Sequence, residues 1–577
     1  MVEKMNSIRT MVLFSFCLAA AVLVDTSQPG TADGVGFRVR SDFTAPLNAD
    51  QGWAGALNEN VAIDADKPFR IRLEVEAAAG SRGRREFRLQ YRRNGGAWTD
   101  VEAHDFPKPA DDGKTPRVSI VSSGAYRNGA ETMNLLPASA ASFQAGTGVS
   151  LADRTGPWSG AAAHAEFEWP LVVRRFADGA VTNEQGDTFE LRMIDAAGAP
   201  VRSANPVLRL NIPPYHVGGT FVETPGRIGP WSASNGDLYF IMEPAETDNL
   251  FMMVKSADGG RTWREVDGAN RPPTDDLEAV DARQVGDTIH ILHEISRSAH
   301  YHSFGTSDHP SRPDSWNVRG ELVAKVEPVA QAAALEVRSD GSLVAFYVGP
   351  AKIHYSVRSA AGRWSEDRVI DAGVPPNLAG PQTVLGANDT VHLTYYGTDG
   401  TIWYRRLLAD GTLTPRQQLA SGAGSTRAVY GSVLPMLYIP ETNTVVMIYR
   451  LSSGRLFERR IVNDAPPTPA VQVTDRNVIT DAVDSQQPGA DAVLDGGTAH
   501  VWFIEPSSRS IFSTNDSGGW QQPSVRIGDI RGSWIRGSVY TRRDGVKVYG
   551  YVYDAGSEGG AGMNRFAEYV IGKGSDR

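Results

Sequence analysis

The sequence contains almost no cysteine and has no block of basic residues. One Cys in 577 residues excludes a disulfide scaffold and any Cys-rich zinc or iron–sulfur site. The chain carries 57 basic and 67 acidic side chains, and a net charge of −10 without a basic block makes it a poor nucleic-acid binder. Its hydrophobic fraction of 41% is enough for sizeable cores. The composition therefore predicts a folded protein of about two to four domains.

Long hydrophobic runs are also missing, except for one near the N-terminus. Met11 to Val24 is apolar, follows the basic residues Lys4 and Arg9, and contains three consecutive alanines. About 14 apolar residues are too few for a membrane span of about 20, so the pattern predicts a secretory signal peptide over residues 1–24. The single Cys17 lies in this run and would leave with it. We therefore expect a mature protein that is secreted or periplasmic and has no membrane span.

The first half of the chain, residues 36–212, alternates apolar and polar side chains with a period of two. The clearest segments are 69–75, 86–91 and 187–193. Such alternation is typical of β-strands with one face on a core and the other in water, and no amphipathic helix of convincing length interrupts it. The pattern predicts a β-sandwich accessory domain that ends at Pro213. Its role is either glycan binding or structural spacing.

The second half, residues 218–577, repeats a β-rich unit at intervals of about 50 residues. The unit pairs a strand such as GDTIHILHE with a second strand such as AHYHSF. Matching positions in its seven copies are Leu238, Ile289, Leu343, Val391, Val445, Ala499 and Val546. A β-only repeat of this length is typical of propeller blades, which bury both faces only by stacking around an axis. The predicted fold class is all-β: an N-terminal β-sandwich followed by a seven-bladed β-propeller, closed by Gly219 to Pro230 or by the C-terminal strand near Tyr569.

One repeat contains a recognisable turn motif. Ser256-Ala-Asp258-Gly-Gly260-Arg-Thr-Trp263 has the Ser-x-Asp-x-Gly-x-x-Trp pattern of the Asp-box, also called the BNR repeat, and Ser513 to Trp520 is a degenerate copy. We expect the Asp to accept hydrogen bonds from turn amides, the Gly to adopt a positive φ and the Trp to pack under the hairpin. Over about 350 residues the chain resembles the sialidase-like, Asp-box β-propeller superfamily. The resemblance implies a propeller fold and gives the turn itself a structural role.

The densest group of chemistry-bearing residues runs from Leu292 to His302 and holds three histidines and an arginine. Because histidine exchanges a proton near neutral pH, His293 and His302 are candidate site residues. This segment also resembles propeller polysaccharide lyases, such as those acting on ulvan. That resemblance implies β-elimination beside a uronic acid, with His293 as the base and Tyr347 or Tyr395 as the acid or shared proton carrier.

β-Elimination also requires a cation against the uronate carboxylate. Arg450 or Arg536 would serve, because a guanidinium binds a carboxylate through two parallel hydrogen bonds. His302 and Trp534 complete the predicted substrate-binding set, the indole by stacking on a sugar face. The chain departs from the lyase pattern at Asp276 to Glu278, where those enzymes place a further histidine. Lyase activity is the favoured interpretation of the sequence.

Two other functions remain open. A sialidase-like glycoside hydrolase needs three arginines, an Asp acid and a Tyr nucleophile, for which the chain offers Arg227, Arg450, Arg536, Asp276 and Tyr551. A non-catalytic glycan-binding or surface-attachment protein would use exposed aromatic rings, for which the chain offers Trp502, Trp534, Tyr396 and Trp403. In each case the expected partner is a polysaccharide or other glycan. No cofactor is predicted: residues 481–495 offer oxygen ligands for calcium but lack an EF-hand spacing.

Overall fold

A computed structural model describes residues 35–571, apart from 78–83, 105–115, 137–138, 161, 175–182, 184, 202, 214, 219–223, 225, 243–251, 267–271, 273–279, 296–297, 308–315, 327–332, 375–379, 424–433, 480–488, 528–533 and 555–563. The described residues form forty strands, two short 3₁₀ turns at Ala387–Asp389 and Pro440–Thr442, and no α-helix. Consequently, none of these residues belongs to a helix that could span a membrane. The all-β prediction is confirmed, whereas the predicted signal peptide lies outside the described residues.

Thirteen strands precede Pro213. They are β1 (Phe37–Arg40), β2 (Ala62–Asp64), β3 (Phe69–Glu76), β4 (Phe87–Arg93), β5 (Thr99–Asp100), β6 (Glu102–Ala103), β7 (Val118–Ile120), β8 (Ala130–Glu131), β9 (Ser142–Phe143), β10 (Thr147–Gly148), β11 (Ala163–Val173), β12 (Thr188–Asp195) and β13 (Val207–Asn211). An eight-stranded sheet contains β1, β3 and β6 to β11, and a five-stranded sheet has the order β2-β13-β12-β4-β5.

One hydrophobic core joins these two sheets. Leu73 in β3, Leu89 in β4 and Phe189 in β12 are fully buried in it, so the apolar positions of the three alternating segments face inward as expected. The expectation that the opposite side meets water is wrong for β3, because Arg70 and Arg72 are fully buried as well. The Arg72 guanidinium donates to the backbone carbonyls of Leu47 and Met133. It also forms ion pairs with Glu166 and Glu168 of β11, at 2.6 and 2.8 Å.

The remaining 27 strands form seven successive sheets, each a simple antiparallel meander. Sheet 1 comprises β14 (Trp231–Ser232), β15 (Leu238–Met242), β16 (Met252–Ser256) and β17 (Arg264–Glu265); sheet 2, β18 (Val280–Val285), β19 (Thr288–Ile295), β20 (Ser298–Gly305) and β21 (Val318–Lys325); sheet 3, β22 (Ala333–Val337), β23 (Leu343–Gly349), β24 (Lys352–Arg358) and β25 (Arg368–Ala372); sheet 4, β26 (Gln382–Leu385), β27 (Val391–Tyr396), β28 (Ile402–Leu407) and β29 (Gln417–Ala420). Sheet 5 comprises β30 (Leu437–Ile439), β31 (Thr444–Arg450), β32 (Leu456–Val462) and β33 (Val471–Gln472); sheet 6, β34 (Ala490–Asp495), β35 (Thr498–Ile504), β36 (Ile511–Asn515) and β37 (Val525–Arg526); sheet 7, β38 (Ile535–Thr541), β39 (Lys547–Asp554) and β40 (Asn564–Val570).

The first strands contact one another in six of the seven neighbouring pairs of sheets. Contacts join β18 to β22, β22 to β26, β26 to β30, β30 to β34, β34 to β38, and β38 back to β14. The segment that leads into β14 completes the circuit, because the Ala282 N–H of β18 donates to the Arg227 carbonyl at 2.9 Å. The arrangement is propeller-like, and the seven repeats identified in the sequence correspond to the second strands β15, β19, β23, β27, β31, β35 and β39.

The last sheet acquires a further strand-like partner from the segment that precedes the first sheet. The Phe566 N–H donates to the Tyr215 carbonyl at 2.9 Å, and the Val217 N–H donates to the Asn564 carbonyl at 3.0 Å. The Asn564 side chain also donates to the Gly218 carbonyl at 2.8 Å. Residues 215–218 therefore join the two ends of the circuit, just before the segment that the sequence indicated for closure.

The Asp-box turn follows β16 and has the hydrogen bonds expected of it. The Asp258 carboxylate accepts from the Thr262 N–H at 2.8 Å and from the Ser256 hydroxyl at 2.9 Å. Gly260 has a φ of +86°, and a Cβ there would lie 2.0 Å from the Phe566 ring. The Trp263 indole is fully buried and donates to the Gly260 carbonyl at 2.9 Å. The motif thus fixes a hairpin of sheet 1 against sheet 7.

Candidate functional site: the central cavity and its rim

Most of the predicted site residues lie at one end of the seven sheets. At this end, which we call the upper end, each first strand begins and each second strand finishes: Val280 pairs with His293, and Ala333 pairs with Tyr347. Tyr395 and Arg450 lie at the ends of β27 and β31, while Trp534 and Arg536 lie at the start of β38. The residues selected from the sequence therefore share one end of the molecule.

His293 and His302 form a buried pair in sheet 2. Nε2 of His302 lies 3.0 Å from Nδ1 of His293, and the two rings stack with centroids 4.6 Å apart. Burial holds the pKa of His302 well below its usual value, and the neighbouring His293 and His300 lower it further. Because the Gly320 N–H donates to Nδ1 of His302 at 2.9 Å, neutral His302 carries its proton on Nε2 and donates it to Nδ1 of His293. Neutral His293 then carries its own proton on Nε2.

Each predicted tyrosine donates its hydroxyl hydrogen bond to a carboxylate. Tyr347 lies 2.7 Å from Asp367, which also contacts Nδ1 of His354 at 2.8 Å. Tyr395 lies 2.5 Å from Asp371 of the neighbouring sheet. Burial raises the pKa of both tyrosines, and the hydrogen-bonded carboxylates add to this rise. Both hydroxyls are therefore protonated at neutral pH.

The structure does not bring the three predicted catalytic side chains together. His293 faces the space between sheets 1 and 2, where His302 contacts Trp316. Tyr347 belongs to the core between sheets 2 and 3, and Tyr395 to the core between sheets 3 and 4. All three are at most 1% exposed. Alternate residues of a second strand point into one or other of these inter-sheet spaces, which we call seams, and not toward the centre.

The other predicted binding residues are also buried. Arg450 is 7% exposed and lies beside Tyr396, and burial lowers the pKa of its guanidinium. Trp534 is fully buried in the seam between sheets 7 and 1, where its ring stacks on Phe240 with centroids 6.4 Å apart. Trp502 stacks on Tyr549 at 3.8 Å. These indoles pack neighbouring sheets against each other.

Arg536 differs from the other predicted residues because it reaches the centre of the circuit. It lines a cavity of about 260 Å³ where the first strands of sheets 1, 5, 6 and 7 meet. We call this space the central cavity; its other lining residues include Arg227, Trp231, Leu437 and Asp491.

Carbonyl groups hold the Arg536 guanidinium in place. Nη1 donates to the Ala490 carbonyl at 2.9 Å and Nε donates to the Gly226 carbonyl at 3.2 Å. Asp491 is 3.9 Å away and directs its other oxygen to the Tyr549 hydroxyl and the Gly537 N–H. Burial lowers the pKa of Arg536 and raises that of Asp491. The guanidinium is thus held by backbone carbonyl groups on both sides of the cavity wall.

A second group of charges surrounds Arg227. The Arg283 guanidinium forms ion pairs with the carboxylates of Asp281 at 2.7 Å and Glu336 at 2.9 Å. Arg227 lies 3.5 Å from the same Glu336 oxygen and donates to the Thr383 carbonyl. Burial lowers the pKa of Arg227 to about 10, and the adjacent Arg283 contributes to that shift. A further anion close to Arg227 would therefore stabilise the charged form of its guanidinium.

Asp281, Arg283 and Glu336 were not predicted from the sequence. They lie in β18 and β22: VDARQV has a charged residue at two alternate positions, and AALEV has a single charged residue. One such alternation is too short to distinguish a central strand from a surface strand. Asp276 to Glu278, considered for the upper end, lies outside the described residues. The part of the chain that the structure describes holds no group of three or more His, Cys, Asp or Glu side chains that could bind a metal ion; most of 481–495 is outside it.

No protein family and no curated protein matches the chain. Solved structures do resemble it. The lectin BP39L from Burkholderia pseudomallei is 13% identical with a TM-score of 0.42, covering 58% of this chain and 96% of the lectin. A polysaccharide lyase described as an ulvan lyase is 9% identical with a TM-score of 0.38, covering 62% of this chain and 94% of the lyase.

A point mutant of the NanB sialidase from Streptococcus pneumoniae is 10% identical with a TM-score of 0.35, covering 87% of this chain and 95% of the sialidase. The similar structures therefore include members of the sialidase and lyase groups that the sequence resembles, together with lectins. At TM-scores below 0.5 these similarities carry no argument about function, which has to come from the site itself.

Proposed function

We propose that this protein is an exported glycan-binding propeller that takes an acidic, uronate-containing sugar at its central cavity. In this proposal residues 1–24 are a signal peptide, residues 36–212 form a β-sandwich accessory domain, and residues 218–577 form a seven-bladed β-propeller. The mature protein acts outside the cytoplasm, secreted or periplasmic. The closed circuit of first strands and the joining of residues 215–218 to β40 support the propeller.

The observation that carries the proposed specificity is the position of Arg227 at the central cavity. Arg227 lies 3.5 Å from a Glu336 oxygen that Arg283 approaches more closely, at 2.9 Å. Arg227 and Arg536 both line the cavity. A sugar carboxylate there would give the Arg227 guanidinium a partner that matches it in geometry and charge. A neutral sugar would offer it hydroxyl groups alone.

A second candidate function, β-elimination of the same acidic glycan, rests on the His293–His302 pair at the upper end. In the tautomer set by Gly320, Nε2 of His293 is a donor, and this atom is buried in the seam between sheets 1 and 2. For His293 to protonate a leaving oxygen the seam would first have to open to the substrate, and for His293 to act as the base its hydrogen bond with His302 would also have to reverse. Because Tyr347 and Tyr395 lie in other seams, binding without cleavage is the better-supported function. Sialidase chemistry remains the third candidate; its Tyr551 is 1% exposed and packs between two other tyrosines.

The test of binding compares a uronate oligosaccharide with its carboxyl-reduced, neutral counterpart by isothermal titration calorimetry. We expect the acidic form to bind at least about tenfold more tightly, and Arg227→Gln to abolish this preference. Arg338→Gln, in a turn of sheet 3 away from the cavity, is the control. Equal affinity of the full-length protein for both oligosaccharides would contradict the proposal.

The same incubations distinguish the catalytic candidates. Elimination creates a double bond that is followed by its absorbance, and His293→Gln should abolish that signal without changing the midpoint of thermal unfolding. Release of free sialic acid from sialylated glycans would instead support hydrolysis. If neither product forms while the acidic oligosaccharide binds, the protein is a non-catalytic glycan binder.

A further inference from the structure

A larger cavity lies at the opposite, lower end of the seven sheets, between sheets 1 and 7. It encloses about 800 Å³, within the range of small-ligand sites. We call it the sheet 1–sheet 7 groove; the turn after β14, the Asp-box turn, the turn after β38, β40 and the segment at Tyr215 line it. Arg536 lies near the start of β38 at the central cavity and Arg542 follows the other end of this strand, so six residues of extended chain, roughly 20 Å, separate the two arginines.

The charges in this groove already neutralise one another. The Arg542 guanidinium pairs with Asp544 at 2.7 Å and with Glu568 at 3.1 Å. The Tyr540 hydroxyl donates to the other oxygen of Glu568 at 2.8 Å. Arg543 pairs with Asp237 at 3.1 Å. The wall therefore presents alternating donors and acceptors, which suits the hydroxyl groups of a neutral ligand.

The groove also contains a rigid aromatic floor and an exposed ring. Phe566 contacts the buried Trp263 with centroids 5.4 Å apart, and Gly260 leaves no space for the floor to move toward the Asp-box. Tyr215 lies at the rim with 48% of its surface exposed. Apolar C–H faces of a pyranose stack on such rings while its hydroxyl groups meet the polar wall.

The backbone of Tyr215 adds an independent observation. Its φ is +64°, a left-handed conformation that is unusual for a bulky residue. Two backbone hydrogen bonds hold it there: its N–H donates to the Arg261 carbonyl at 2.8 Å, and its carbonyl accepts from Phe566 at 2.9 Å. Asn or Gly would adopt this left-handed backbone conformation more easily than Tyr. Because about half of the Tyr215 ring is exposed, packing in a core does not explain why a tyrosine stands here. Strain of this kind is typical of ligand-binding positions.

From these features we propose that the sheet 1–sheet 7 groove binds a neutral saccharide of one or two pyranose units. Tyr215 supplies the stacking surface, the buried Phe566 supports the floor beneath it, and the Arg542–Glu568 pair bonds adjacent hydroxyl groups. The site is separate from the central cavity and does not depend on the function proposed for it. A polysaccharide with both neutral and acidic sugars would meet the protein at both ends.

The experiment titrates the full chain with the methyl glycosides of glucose, galactose, mannose and N-acetylglucosamine, with cellobiose and lactose, and with methyl glucuronide, using calorimetry and saturation-transfer NMR. We expect at least one neutral probe to bind; in the Arg227→Gln variant, which removes the acid preference proposed for the central cavity, methyl glucuronide should bind more weakly than methyl glucoside. Tyr215→Asn removes the ring and suits the left-handed backbone. It should therefore weaken neutral-sugar binding by at least about fivefold, while the midpoint of thermal unfolding stays the same or rises.

The chain provides a matched control for the polar wall. Arg542-Arg-Asp544-Gly545 and Arg338-Ser-Asp340-Gly341 form the same turn, with Gly φ values of +81° and +80°. Arg542→Ala should weaken neutral-sugar binding, and Arg338→Ala should not. Absence of binding by every neutral probe, binding that survives both Tyr215→Asn and Arg542→Ala, or a preference for the glucuronide in the Arg227→Gln variant would each overturn the proposal.

Discussion

At the scale of single residues, the most unusual titrating group is Glu74 on the covered face of the eight-stranded sheet. Burial raises the pKa of its carboxyl to about 7, although the Gly36 and Ser139 N–H groups donate to it at 2.8 and 3.1 Å. Glu166 and Glu76 raise it further, and Nε2 of His164 lies 3.6 Å away. The folded protein therefore keeps a proton on Glu74 that the unfolded chain releases near pH 4.5.

This difference makes stability depend on pH with a definite sign. The contribution of Glu74 is complete below about pH 4.5 and is lost as the pH rises through about 7. Glu74→Gln should therefore reduce the decline in unfolding free energy between pH 5 and 7 by about 1 kcal/mol per pH unit. Denaturant unfolding of the full chain at several pH values measures it, with the exposed carboxylate variant Glu102→Gln as the control. An unchanged slope would show that the buried carboxyl is ionised throughout.

Residue type was easier to predict than side-chain direction. The histidine-rich segment, both tyrosines and Arg536 lie at the upper end, where the second strands finish and the first strands begin. The side-chain directions could not be predicted, because a β-strand residue points into one of two seams and a one-residue difference in register exchanges them. Tyr347 and Tyr395 hold equivalent positions in successive sheets, so each enters the seam between its own sheet and the preceding one, and the two side chains lie apart.

At the scale of elements, the Asp-box shows a turn held mainly by one side chain. Burial alone would raise the pKa of Asp258, but hydrogen bonds from Thr262 and Ser256 lower it overall. Asp258→Asn should lower the unfolding free energy at pH 7 by about 1–2 kcal/mol, because the ionised acceptor is lost. The loss should shrink as the pH falls through the lowered pKa, where wild-type Asp258 also takes up a proton.

Thermal and denaturant unfolding at pH 7 and below pH 4 measure this effect. Asp340→Asn, in the two-residue turn of sheet 3, is the control and should cost less because Asp340 bonds only one neighbouring amide. An equal cost for both variants would show that the Asp-box aspartate has no special role.

The second strands were predictable from sequence, and the first strands were not. GDTIHILHE and its six counterparts are apolar because second strands have neighbours on both faces. First strands border the central cavity, so β18 carries Asp281 and Arg283, and β22 carries Glu336. These charged residues do not follow the apolar alternation that marks a strand in a sequence. Their interaction partners also come from sheets that are distant in sequence.

At the scale of the whole molecule, Asn564 helps to join the two ends of the circuit. Asn564 is fully buried, and both its backbone carbonyl and its side-chain amide bond residues 217–218. Asn564→Ala should lower the unfolding free energy by about 1–2 kcal/mol. It should also speed hydrogen exchange at both β15 and β40, although they are more than 300 residues apart.

Hydrogen exchange read by mass spectrometry checks this, with Asn515→Ala at the end of β36 as the control. Faster exchange in β40 alone would mean that sheet 1 does not depend on closure.

The joining segment also connects the two halves of the protein. His216 contacts the Asp66 carboxylate, Oδ2 to Nε2, at 3.0 Å, and its other nitrogen contacts the guanidinium of Arg565. The residue that leads out of the N-terminal sheets is thus bonded both to those sheets and to the last strand of the circuit. If the N-terminal half is held on a surface while the glycan is pulled by flow, the tension passes first through this junction. Under such a load, the same His216 contacts would have to break for the two halves to separate and for the ring of sheets to open. Strengthening these contacts would therefore raise the force needed to open the ring.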